Sequence, residues 1–200
     1  MSSRLLLAVA ALAAAPLLAP AAQAQAVFGV RAGLNVSDFT GDDAPANADP
    51  RLGFSGGVFA HAPIGASGLY VQPEVLYSMK GVTSDNDGTL AVDYVEVPLL
   101  LGYAIPVTQT GLMLGAYAGP ALGIKVGESI SQNFGTITGS RDSDVFEDLD
   151  IGAAVGATVG AGAFGVDARY TFGLTNALDA ANTSLRNGAF TVAATYRFGR

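Results

Sequence analysis

Ala189-Phe-Thr-Val-Ala-Ala-Thr-Tyr-Arg-Phe198 is the stretch on which the fold turns. Phe190, Val192, Ala194, Tyr196 and Phe198 fall on one side of an extended chain; Ala189, Thr191, Ala193, Thr195 and Arg197 fall on the other. Side chains alternate between opposite faces only in a β-strand, so a period of two that sorts apolar from small and polar residues reads as a strand with one apolar face. Working back from the C-terminus, residues 163–174 repeat the pattern. Phe164, Val166, Ala168, Tyr170 and Phe172 oppose Asp167, Arg169 and Thr171.

In residues 69–80, Leu69, Val71, Pro73, Val75, Tyr77 and Met79 oppose Tyr70, Gln72, Glu74, Leu76, Ser78 and Lys80. In residues 92–105, Val95, Val97, Leu99, Leu101, Tyr103 and Ile105 oppose Tyr94, Glu96, Pro98, Leu100 and Gly102. Residues 26–36, 52–61, 112–126 and 149–161 add four more runs, making eight, each bounded by Gly, Pro, Asn or Asp clusters. An even number of strands of about 9 to 12 residues matches what a tilted strand needs to cross a bilayer. The predicted fold class is all-β, an eight-stranded antiparallel up-and-down transmembrane β-barrel. Short turns at 63–68, 106–111 and 161–163 alternate with longer loops at 37–51, 81–91, 127–148 and 175–188.

The N-terminus reads as an export address. Met-Ser-Ser-Arg precedes an almost unbroken Leu, Ala and Val run from Leu5 to Leu18, followed by Pro20-Ala-Ala-Gln-Ala-Gln-Ala26. A positive start, an apolar centre and alternating small residues are the parts of a secretory signal, and Pro16 and Pro20 cut the run short of a membrane anchor. The expected organisation is a signal peptide over residues 1–25, with small-x-small cleavage possible after Ala24 or Ala26, and a barrel domain over 26–200. The mature N-terminus then lies in the periplasm, with the short turns, and the longer loops face the medium. The expected location is the outer membrane.

Composition narrows the function. The 200 residues carry a net charge of -7, no Cys, no Trp and 26 Gly, and half are hydrophobic; the mean hydropathy is +0.39. Without Cys there is neither a disulfide framework nor a thiolate metal site. With Lys80 and Lys125 as the only lysines, the chain lacks the clustered cations that nucleic-acid phosphates require. A secreted soluble barrel holding a small apolar ligand is the alternative, and it would turn the apolar faces inward. Two features favour lipid outside. The polar faces lack the Lys and Glu of a soluble exterior, and Tyr77, Tyr103, Tyr170, Tyr196 and Phe198 sit towards strand ends, where an interfacial girdle belongs.

Several stretches also resemble a known family. Phe28-Gly-Val-Arg-Ala-Gly-Leu-Asn-Val-Ser-Asp-Phe39, Gln72-Pro-Glu-Val-Leu-Tyr77, Tyr94-Val-Glu-Val-Pro-Leu-Leu-Leu101, Gly115-Ala-Tyr-Ala-Gly-Pro120 and Tyr196-Arg-Phe198 are similar, in order and spacing, to the PorT-like outer-membrane β-barrel family of porin-family proteins, common in Bacteroidetes. The resemblance implies the barrel and an envelope location and brings no catalytic residues. Through the family's namesake, it also implies a link to protein secretion and gliding. The chain departs from the family at its end, where Gly199 and Arg200 follow the aromatic Phe198.

With apolar faces outward, Arg31, Glu74, Lys80, Glu96, Lys125, Asp167, Arg169 and Arg197 point into the lumen or its rim. Eight strands leave an interior that side chains can fill, and unpaired charge there is costly, so these groups are expected to pair into a network that plugs the lumen. Its expected centre is Arg31, Arg169 and Arg197 with Glu74, Glu96 and Asp167. A gated ion path is the competing reading. Glu74 with Glu96 is the carboxylate pair to test for hydrolytic chemistry, and His61 is the only possible imidazole base, but no nucleophile motif accompanies them, so no enzyme is expected. Acidic residues at Asp42-Asp43 and 142–150 lack the Gly and terminal Glu of a Ca²⁺ loop and read as solvated loops. No metal or cofactor is expected. The expected partners are outer-membrane lipid and an envelope or periplasmic protein. The role is structural or interactive, with a narrow pore or secretion-associated transport as the alternative.

Overall fold

The computed structural model describes residues 26–40, 48–84, 88–107, 110–134, 137–141, 149–175 and 186–199. The expected signal peptide, the Asp42-Asp43 pair and residues 142–148 of the acidic stretch lie outside the described residues. The described residues form nine strands: β1 (Val27–Thr40), β2 (Ala48–Pro63), β3 (Leu69–Ser84), β4 (Gly88–Val107), β5 (Leu112–Phe134), β6 (Ile137–Arg141), β7 (Leu149–Ala161), β8 (Phe164–Gly173) and β9 (Arg186–Arg197). Every pairing is antiparallel, and β1 joins β9 while β4 joins β5, so all but β6 close into an eight-stranded barrel. The eight expected runs are its staves. The short β6 pairs with β5 outside the ring.

The register fixes the size of the barrel. Ladder partners lead from Ala62 through Val71, Leu101, Ala118, Val155, Tyr170, Phe190 and Val36 to Leu52, so one circuit returns to β2 ten residues from its start (62 − 52). With eight strands, that stagger sets a tilt of roughly 40° and a backbone radius of roughly 8 Å. An interior of that width is one that side chains can fill.

The apolar faces turn outward. Phe28, Leu34, Leu101, Val155, Val166 and Val192 are exposed, whereas Arg31, Asn35, Glu74, Asp167 and Arg169 are buried inside. This arrangement overturns the soluble alternative, which needs an apolar interior. Exposed aromatics form two rings. Phe28, Tyr103, Phe164, Tyr196 and Phe198 circle the end that carries the short turns, and Phe54, Tyr77, Phe172 and Phe190 circle the other. The turns are tight: Gly162 takes φ 58° in the two-residue link between β7 and β8, a left-handed conformation that favours Gly.

The longer loops depart from expectation. The hairpin expected to open at 81–91 stays paired to Ser84↔Gly88, and β5 continues to Phe134, well past its last β7 pair at Ile124↔Leu149. Backbone hydrogen bonds need no apolar face, so a ladder runs on after alternation ends. As a result, β3, β4, β5 and β6 rise as a wall of sheet above the loop-end rim, while β7 and β8 stop near it.

Inside, Tyr70, Leu100, Tyr117 and Ala154 form a small apolar cluster. Tyr70 lies against Gly102, where a Cβ would collide with its ring. Gly102→Val is therefore expected to displace Tyr70 and destabilise the barrel by about 1–3 kcal/mol. The urea midpoint of the refolded protein measures this, and an unchanged midpoint would show that the contact has no consequence.

Candidate functional site

Four charges meet at the centre of the lumen. Arg169 on β8 grips Glu74 on β3 through both terminal nitrogens, each at 2.8 Å. Arg31 on β1 reaches Glu74 at 3.3 Å and Asp167 on β8 at 2.7 Å. Tyr117 on β5 donates its hydroxyl to Asp167 at 2.5 Å and accepts the Arg169 Nε–H at 3.0 Å. Gln72 adds a bond to Glu74 at 2.7 Å. Two cations balance two anions, all buried. A bidentate guanidinium–carboxylate pair with every acid oxygen occupied is the geometry that offsets the desolvation of such groups.

Position on the ring gives this cluster its shape. Counting staves around the barrel, β3 and β8 are four apart, as are β1 and β5, so each pair lies across a full diameter. The Arg169–Glu74 bond crosses one diameter, and the Arg31–Asp167–Tyr117 chain links the two ends of the other.

A second group lies nearer the loop end. Lys80 meets Glu96 at 2.5 Å with its ammonium over the Tyr94 ring, 5.4 Å from the centroid. Asn187 donates to Asp150 at 2.9 Å and to the Tyr94 hydroxyl at 3.4 Å, joining β9 to the diametrically placed β4. Above it, Lys125 pairs with Glu128 at 3.2 Å.

The expected centre thus divides. Arg31, Arg169, Glu74 and Asp167 come together, but Glu96 joins Lys80 instead, because Glu96 lies further along the tilted wall, at the level of the Lys80 layer. Arg197 sits at the turn-end mouth, where with His61, Tyr70, Gln72 and Asp167 it lines a void of about 20 Å³, enough for one water. Glu74 and Glu96 are each clamped by a different cation, so they do not form the acid–base pair that hydrolysis would use. His61 lies beside the Gln72 amide at 3.2 Å and 4.2 Å from the Tyr70 ring centroid.

Sequence reasoning from charge alone missed Gln72, Tyr94, Tyr117, Asp150 and Asn187. Inward parity was the available signal for Gln72, Tyr94, Tyr117 and Asp150, which lie within expected runs, whereas Asn187 fell in the loop expected at 175–188. Asp150, read as part of a solvated acidic loop, is a buried rim residue at the start of β7.

The family model for the outer membrane protein beta-barrel domain matches residues 21–179. The chain belongs to that family. As an outer-membrane β-barrel protein, it meets membrane lipid with its apolar exterior. The match ends before β9, the strand that closes the ring. A comparison with curated proteins gives no match. Among solved structures, this barrel is similar to Ail, the attachment invasion locus protein of Yersinia pestis, in complex with the heparin analogue sucrose octasulfate. Identity is 16%, 87% of this chain and 99% of that chain are covered, and the TM-score is 0.49. Neisserial surface protein A is similar at 18% identity over 87% and 99% of the two chains, with a TM-score of 0.49. The N-terminal barrel domain of Pseudomonas aeruginosa OprF is similar at 12% identity over 86% and 100%, with a TM-score of 0.33.

Proposed function

We propose that this outer-membrane barrel is exported by a signal peptide at residues 1–25 and plugged by its own lumen charges, and that it serves the cell envelope as a structural and interaction protein rather than as a pore or an enzyme. The observation that carries the reading is the neutral cluster of Arg31, Glu74, Asp167 and Arg169, joined across the barrel's diameters. An ion entering the lumen would have to break charge-assisted bonds between groups that are almost wholly buried. The wall of β3 to β6 above the rim supports the interaction role, since it carries paired backbone past the outer aromatic ring towards the medium. The order of the PorT-like motifs supports a place near that group and, with it, an envelope or periplasmic protein partner. The acidic balance of the chain gives no reason to extend to it the sulfated ligand of the Ail complex.

Planar-bilayer recording on the refolded mature chain tests the plug. The wild-type barrel is expected to show no steady conductance, and Glu74→Gln, which releases Arg169, is expected to introduce brief openings. Steady, sizeable conductance from the wild type would overturn the plug and favour the narrow-pore reading. Mass analysis of the protein extracted from outer membranes is expected to find the chain starting just after Ala24 or Ala26; retention of Met1 would refute the cleaved signal.

A further inference from the structure

We propose that the outer wall at β2 and β3 holds one acyl chain of a membrane phospholipid in a groove near the turn end. The groove encloses about 380 Å³ and is lined by Phe28, Val58, Ala60, Pro73, Val75 and Phe198, with the backbone of Gly29, Phe59 and Glu74 as its floor. It is more than twice the roughly 150 Å³ of an apolar cavity that accepts benzene.

Its origin lies in the backbone. Pro73 has no N–H to give a ladder, and register pairs are missing on both sides of it. The β2–β3 ladder breaks between Phe59↔Glu74 and Ala62↔Val71, and the β3–β4 ladder between Pro73↔Leu99 and Leu76↔Glu96, where Pro98 adds a second missing donor. The wall is dented there: Ala60 faces outward yet is only 7% exposed, sunk between larger neighbours.

The occupant follows from what surrounds the dent. The groove is continuous with the exterior that meets lipid, no side-chain charge among the described residues faces it because the Glu74 carboxylate is turned inward onto Arg169, and Phe28 and Phe198 of the turn-end aromatic ring form one side. A flexible hydrocarbon chain with its polar head at that ring fills such a shape; a soluble apolar ligand would first have to cross the bilayer. The inference rests on the membrane reading, and the two fail differently, because a chain that is not a membrane protein does not enter a nanodisc at all.

The test reconstitutes the full mature chain in nanodiscs of phosphatidylethanolamine and phosphatidylglycerol doped with a phospholipid carrying a nitroxide in mid-chain. At low label, the amide signals of Gly29, Ala60 and Val75 are expected to broaden before those of Leu114 and Val159 on the far wall. Native mass spectrometry after detergent extraction is expected to show one retained phospholipid, and Ala60→Phe, which fills the groove, should lower that retention about tenfold. Val75→Phe serves if Ala60→Phe does not fold. Equal broadening on both walls, or retention that neither variant changes, overturns the proposal. So does contact between Ala60 and residues preceding Val27 without retained lipid, since the groove would then be filled by the chain's own N-terminus.

Discussion

Glu74→Leu is expected to lower the stability of the refolded barrel by about 3–5 kcal/mol, the usual consequence of removing one partner from a buried ionic group. Glu74 accepts both terminal nitrogens of Arg169, one nitrogen of Arg31 and the Gln72 amide. Without it, two guanidiniums share the Asp167 carboxylate while both stay almost wholly buried. The double variant Glu74→Leu/Arg169→Leu removes a charge of each sign and is expected to recover part of the loss, with a coupling of about 0.5–3 kcal/mol. Urea unfolding in phospholipid vesicles, analysed by linear extrapolation, measures both quantities. A loss under about 1 kcal/mol for the single variant would show that the lumen is wet enough to solvate the arginines.

Val192→Lys is expected to destabilise the barrel by about 2–4 kcal/mol in vesicles, the range for a lysine at the lipid face near the bilayer midplane. Val192 is exposed on β9 between Tyr196 of one aromatic ring and Phe190 of the other, so its ammonium would have no partner and a long way to water. Thr40→Lys, at the loop end of β1 beyond the outer ring, is the control and is expected to cost about 0–1 kcal/mol. If the two substitutions cost the same, the lipid belt does not lie between the aromatic rings.

The strands were legible because one period of two governs each stave, and a single run such as Phe190 to Phe198 already separates the two faces. The direction of Arg31, Glu74, Asp167 and Arg169 follows from the same parity. Which acid meets which base was not legible, because Glu74 and Glu96 have equal parity and their partners depend on the ten-residue stagger and on which staves lie opposite, and neither is a local property. The extension of β5 beyond the rim was hidden for a different reason. Polar residues on both faces of a strand leave no period to detect, although the ladder continues through them. Asn187 and Tyr94 escaped notice because uncharged residues become part of a polar core only when closure brings distant staves together.

The bonds across the lumen also bear on the order of assembly. Neighbouring staves can pair as hairpins while the chain is still open, but Arg169 finds Glu74, 95 residues away, only after β1 has met β9 and the ring has closed. Contacts of such long sequence separation carry a high loop-closure cost and form late. Interactions absent from the transition state slow unfolding and leave the folding rate nearly unchanged. The central charges therefore act as a latch: weakening them should shorten the lifetime of the inserted barrel without delaying its insertion.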